Sequence, residues 1–142
     1  MIKVFIIILF FIFNSCSTFK KEPIKCPKLI APKKAAEIVV YSENKIPVYL
    51  GIRGVQKFCF KDGDDIKMDL SVNIRAIRND ATEDDYVPVN ISVVSIDLNE
   101  KEFDREEFNY SQSLLKGNRI VDRATSFDLK VQAGGQVLLG IK

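Results

Sequence analysis

Three cysteines, two clusters of carboxylates and a complete lack of histidine define the chemistry open to this chain of 142 residues. The cysteines are Cys16, Cys26 and Cys59. Without histidine there is no Ser–His–Asp or Cys–His pair, no histidine metal cluster and no imidazole pH switch. No base is at hand to activate a cysteine nucleophile, and two cysteines without histidine make a poor zinc site. The stretch KDGDD supplies Asp62, Asp64 and Asp65, whose oxygens are the ligand type that calcium prefers. Their spacing lacks the further ligands and the closing Glu of an EF-hand loop, and the same residues build an ordinary solvated turn. Asp80, Glu83, Asp84 and Asp85 form a second acidic loop open to the same two readings. Nothing singles out two carboxylates as a glycosidase pair. The expectation is a protein that is not an enzyme and carries no cofactor.

Cys16 is set apart by what precedes it. Lys3 is followed by an unbroken apolar run from Val4 to Phe13, then Asn14, Ser15 and Cys16. A cation, a short apolar stretch and small residues at a cleavage point make an export signal. The run is about ten residues, where a membrane-spanning helix needs roughly twenty. Phe13, Asn14, Ser15 and Cys16 resemble the lipobox of bacterial lipoproteins, which implies cleavage before Cys16 and lipidation of its sulfur. The alternative is a plain signal peptide with an incidental thiol. The segment from Ser17 to Lys25 is short and polar, and it carries Pro23, as a tether would. Lys20, Lys21, Lys25, Lys28, Lys33 and Lys34 lie near that anchor, where they either attract anionic headgroups or simply solubilise a linker. Ser17, rather than Asp, follows the lipidated cysteine, and sorting logic familiar from enteric bacteria then favours the outer membrane.

Lipidation of Cys16 leaves Cys26 and Cys59 as a pair. An exported compartment is oxidising, so a Cys26–Cys59 disulfide is expected, with two free thiols as the alternative. Cys59 lies between Phe58 and Phe60. Neighbours on a strand point to opposite faces, so core-facing phenylalanines would turn Cys59 outward, toward the Cys26 segment.

The elements that must position these residues are strands. Ile66 to Arg78 is the clearest: Ile66, Met68, Leu70, Val72, Ile74 and Ala76 alternate with polar residues, the period-two pattern of a half-buried antiparallel strand. Six further strands are expected over Ala35–Ser42, Pro47–Phe60, Tyr86–Leu98, Glu102–Leu114, Arg119–Gln132 and Gln136–Lys142. Gly51 and Gly54 suggest a bulge in the second of these. Phe103, Phe108 and Tyr110 are its anchors in the Glu102 strand, and Ile120, Phe127, Leu129 and Val131 are the apolar positions of the Arg119 strand. Asp104, Glu106 and Glu107 suit a sheet edge, where charge discourages pairing. Turn residues recur every ten positions or so, and no amphipathic helix stands out. Seven such strands predict an antiparallel β-sandwich of immunoglobulin or fibronectin type, with a small barrel as the alternative. The domain plan is a signal over 1–15, a lipidated tether over 16–34 and a sandwich over 35–142.

The run CPKLIAPKKAA from Cys26, the YLGIRGVQKFCF stretch and the alternating LSVNIRAIRN strand resemble uncharacterised envelope lipoproteins of Alphaproteobacteria. The resemblance implies a lipobox cysteine, a CysPro soon after it, a second cysteine about thirty residues on and a β-rich remainder. It implies no activity. The net charge is +2, and loss of Lys3 with the signal brings the mature chain near +1, so no nucleic-acid partner is expected. Two functions follow. One is a lipid-anchored, non-enzymatic protein that docks onto another envelope protein. The other is a small-ligand or calcium-binding module using the KDGDD and NDATEDD loops.

Overall fold

The computed structural model describes residues 21–142. The signal segment, Cys16 and the first part of the tether lie outside them. Nine strands and one helical turn follow in order: β1 (Pro23–Ile24), β2 (Lys28–Ile30), α1 (Lys33–Ala36), β3 (Glu37–Tyr41), β4 (Pro47–Asp62), β5 (Asp65–Arg78), β6 (Asp85–Ile96), β7 (Glu102–Leu114), β8 (Ile120–Gln132) and β9 (Gln136–Ile141).

They form two sheets packed as a sandwich. In the larger sheet β4 and β5 pair, β8 lies beyond β5, and both β1 and β3 pair with the far side of β4. In the smaller sheet the order is β2-β9-β6-β7. Strands β5 to β8 make a Greek key folded across both layers, because β6 and β7 cross to the second sheet and β8 returns beside β5. All pairings are antiparallel except that of β2 with β9. The seven longer strands are the seven read from the sequence, and the sheets do not close into a barrel. Between the layers lies one apolar core, drawn from alternate positions such as Leu50, Met68, Leu70, Val72, Ile91, Val93, Phe127, Leu129 and Leu139.

Four expectations change. The tether assigned to 16–34 is largely part of the domain: β1, β2 and the start of α1 lie in it, because their backbone groups find partners on β4 and β9. Ala35 and Ala36 belong to α1 rather than to a strand. Phe103 and Phe108 are not buried anchors, since they stand 40% and 38% exposed on β7, the edge strand of the smaller sheet. Ile120 is likewise exposed, on the outer face of its strand.

Cys59 also faces the other way from the expectation. Val48 and Leu50 point into the core at even positions, but the register of β4 against β5 shifts between Ile52 and Gly54. A bulge adds one residue and reverses the in–out parity of everything after it. Cys59 is therefore buried and Phe58 is 65% exposed.

Candidate functional site

The two acidic loops do not make one site. Asp62 and Asp65 face each other across the β4–β5 hairpin, whose Gly63 has φ 61°. A two-residue hairpin favours that left-handed conformation, and glycine reaches it without strain. The loop after β5 lies at the far end of a 14-residue strand. At about 3.3 Å per residue the loops are roughly 45 Å apart. Among the described residues no group of three metal-ligating side chains converges, at Asp62, Asp64 and Asp65 or elsewhere.

The second loop uses its carboxylates on backbone groups. Asp80 Oδ1 accepts from the N–H and hydroxyl of Thr82 at 3.0 and 2.7 Å, and Asp84 Oδ1 accepts from Lys116 N–H at 2.7 Å. Asp85 is buried and accepts from the N–H groups of Asn44 and Tyr86. Burial works against its charge, but the Ser42 hydroxyl, those N–H groups and nearby Arg78 outweigh it and hold the carboxyl below the usual range. Arg78 continues the inward row of β5 and is 2% exposed. Its guanidinium donates to the carbonyls of Asn118, Glu83, Leu114 and Leu115, tying together the loops at this pole. That role was illegible in the alternation, which marks every second residue as inward without saying that a charge can end the row.

Cys26 and Cys59 form the expected disulfide, with Cα atoms 5.1 Å apart. The bond ties down a strap. From β1 on the β4 edge the chain crosses to pair β2 with β9, lays α1 against β9, and returns as β3 on β4. A Cβ on Gly140 of β9 would come within 2.9 Å of Ala35 Cβ, so only glycine seats α1 this closely. The strap covers one flank of the sandwich.

The opposite flank has no strap. The edges of both sheets, β7 and β8, lie there side by side and do not pair. Side chains bridge the layers here: Asp104 Oδ2 of β7 accepts from Lys130 N–H at 2.8 Å, and the Ser95 hydroxyl of neighbouring β6 donates to Lys130 O at 2.6 Å. Higher up, the Arg123 guanidinium stacks 4.1 Å from the Tyr110 ring. Lys130 thus points its peptide groups away from β5. Strand alternation turns Asp128, Ser126, Ala124 and Asp122 the same way, leaving a row of main-chain donors and acceptors with no strand beyond it.

A groove crosses the outer face of the larger sheet. Its wider part, about 590 Å³, is lined by Gly54, Gln56, Ser71, Asn73, Asp122 and Ala124. A contiguous part of about 330 Å³ shares Gln56 and Ser71 and adds Phe58, Asp69, Ser126 and Asp128. The register produces it: Gly54, Asn73 and Ala124 form one cross-strand row, and Gln56, Ser71 and Ser126 the next. Arg75 and Asp122 close one end through two bonds of 2.8 and 2.9 Å, and the guanidinium keeps that carboxyl low. At the other end Asp69 stands opposite Asp128. Desolvation, together with the hydrogen bond and charge of Asp128, pushes the Asp69 carboxyl above its ordinary range. Asp69 Oδ1 and Asn73 Oδ1 are buried without hydrogen-bond partners.

No family model, no curated protein and no solved structure matches the chain. Among the described residues no helix is long and apolar enough to cross a membrane.

Proposed function

We propose that this protein is a lipid-anchored, non-enzymatic component of a bacterial envelope that docks onto another envelope protein through the flank of β7 and β8. One observation carries the reading: two long sheet edges lie together, held by side chains alone, on a sandwich whose other flank ends only in the short strands β1, β2 and β3 of its own strap. An edge strand with free peptide groups accepts an extended segment of a partner as one more strand. Support for the anchor comes from the lipobox-like residues before Cys16 and from the resemblance to envelope lipoproteins. The described chain begins beside the β4–β5 hairpin, where Glu22 O accepts from Lys61 N–H, so an anchored molecule holds that pole toward the membrane.

Two experiments test it. Mass spectrometry of the protein from membranes should give a chain that starts at Cys16 with diacylglycerol on its sulfur. A chain still starting at Met1 sinks the anchor. Affinity capture of the full-length protein from envelopes should recover one defined partner. Ser126→Pro should lose that partner without lowering the melting temperature, since proline is tolerated where the N–H faces off an edge. Retention of the partner by the proline variant, or repeated recovery of nothing, overturns the docking mode.

A further inference from the structure

We infer that the groove across the larger sheet is a binding site for a neutral, polyhydroxylated ligand, a short glycan chain. This does not rest on the docking reading: the two share β8, but the groove uses the outward side chains of β4, β5 and β8, and the docking flank uses the free peptide groups along the edge of β8.

The size is right: ligand sites fall in the range of about 300–1,000 Å³, and both parts of the groove lie inside it. The lining is right in kind. Gln56, Ser71, Asn73 and Ser126 are neutral amides and hydroxyls that donate and accept, as a ring of sugar hydroxyls requires. They come from three adjacent strands in fixed register, so the pattern sits on rigid elements.

Two oxygens in this lining have no partner. Buried polar atoms are nearly always hydrogen-bonded, so Asp69 Oδ1 and Asn73 Oδ1 call for an explanation. Both side chains line the groove, so a ligand seated there brings its hydroxyls against them.

The remaining features select within the class. Phe58 stands at the rim, 65% exposed, and its ring offers a flat apolar surface to the C–H face of a sugar. Asp69 and Asp128 stand side by side next to it and accept from adjacent hydroxyls. Asp122 is neutralised by Arg75; among the described residues no cation pairs with the other two carboxylates at hydrogen-bond distance, and Lys67 and Lys21 offset the charge of Asp69 only from farther off. An acidic sugar would meet them unfavourably, and a neutral one would not.

The test uses the full-length chain in a detergent without a sugar headgroup, with a tetramer of β-linked N-acetylglucosamine as the probe. Saturation-transfer NMR should show the protein's signal passing to the probe. Phe58→Ala should weaken binding about tenfold, and Ser71→Trp, which fills the groove, should abolish it. Both variants should melt as the wild type does, because Phe58 and Ser71 face outward. No transfer at about 10 mM probe overturns the inference, as does equal binding by wild type and Ser71→Trp. Loss of the captured envelope protein by Ser71→Trp, with no glycan signal, overturns it in favour of a protein ligand in the groove.

Discussion

The two flanks of this sandwich solve the same problem in different ways. On one, β4 and β9 would each leave a bare edge, and the strap from β1 to β3 covers them with main-chain hydrogen bonds, a helical turn and a disulfide. On the other, β7 and β8 are left bare, and the layers are linked through Asp104, Ser95 and a stacked Arg123. Covering β4 and β9 with backbone uses up their hydrogen-bonding capacity and moves the free edge out to the short strands β1, β3 and β2. Bridging an edge with side chains leaves most of its capacity free. The charges along β7, including Glu102, Arg105 and Glu107 in one ion network with Lys142, fit an edge kept from indiscriminate pairing.

The largest effect is expected at the strap. Replacing Cys26 and Cys59 together by alanine frees a sequence separation of 33 residues. Chain entropy sets the loss at about 3–4 kcal/mol. Denaturant unfolding of the oxidised protein and the double variant measures it, and hydrogen exchange should localise the loosening to β2 and β9. A loss below about 1 kcal/mol would mean that the strap holds by packing and pairing alone.

A smaller effect is expected on the open flank. Asp104→Ala removes the acceptor of the Lys130 N–H, at a cost of about 1 kcal/mol. The Lys130 amide should exchange faster, while amides of β2 stay unchanged. If exchange on the strapped flank rises as well, the flanks are not independent.

The smallest is a pH effect at the groove. The Asp69 carboxyl is raised in the folded protein, so its charged form opposes folding at neutral pH. That opposition fades as pH falls through the raised value and is absent below the ordinary carboxylate range, near 4. Asp69→Asn should therefore raise the melting temperature slightly at pH 7 and leave it unchanged below about pH 4. Asp85 has the opposite sign: its lowered carboxyl stabilises at neutral pH, and that contribution disappears as pH falls through the lowered value. A melting curve for Asp69→Asn that runs parallel to wild type at all pH values would remove the carboxylate pair from the groove's electrostatics.

Much of the fold was legible because strand alternation is local. The inward row of β5 from Met68 to Ala76 is buried as its pattern says, and β7 takes the edge that its charges suit. The candidate site was not legible. The acidic loops stood out as clusters along the chain, yet their carboxylates serve a hairpin and a set of backbone amides. The groove residues are small and ordinary in sequence, and only the register of three strands brings Gln56, Ser71 and Ser126 into one row.

What the sequence determined by itself was whatever a few neighbouring residues can specify. Alternation over Ile66–Arg78, short apolar and β-branched runs elsewhere and turn residues about every ten positions set seven strands and a sandwich, and the count of cysteines pointed to Cys26 with Cys59. The tertiary structure decided what depends on partners far along the chain. A bulge fixed by pairing against β5 turned Cys59 inward and Phe58 outward, burial ended the β5 row on Arg78, and β2 found a parallel place beside β9. Side-chain direction repeats every two residues, so a single inserted residue reverses it, and only the partner strand says where that residue goes.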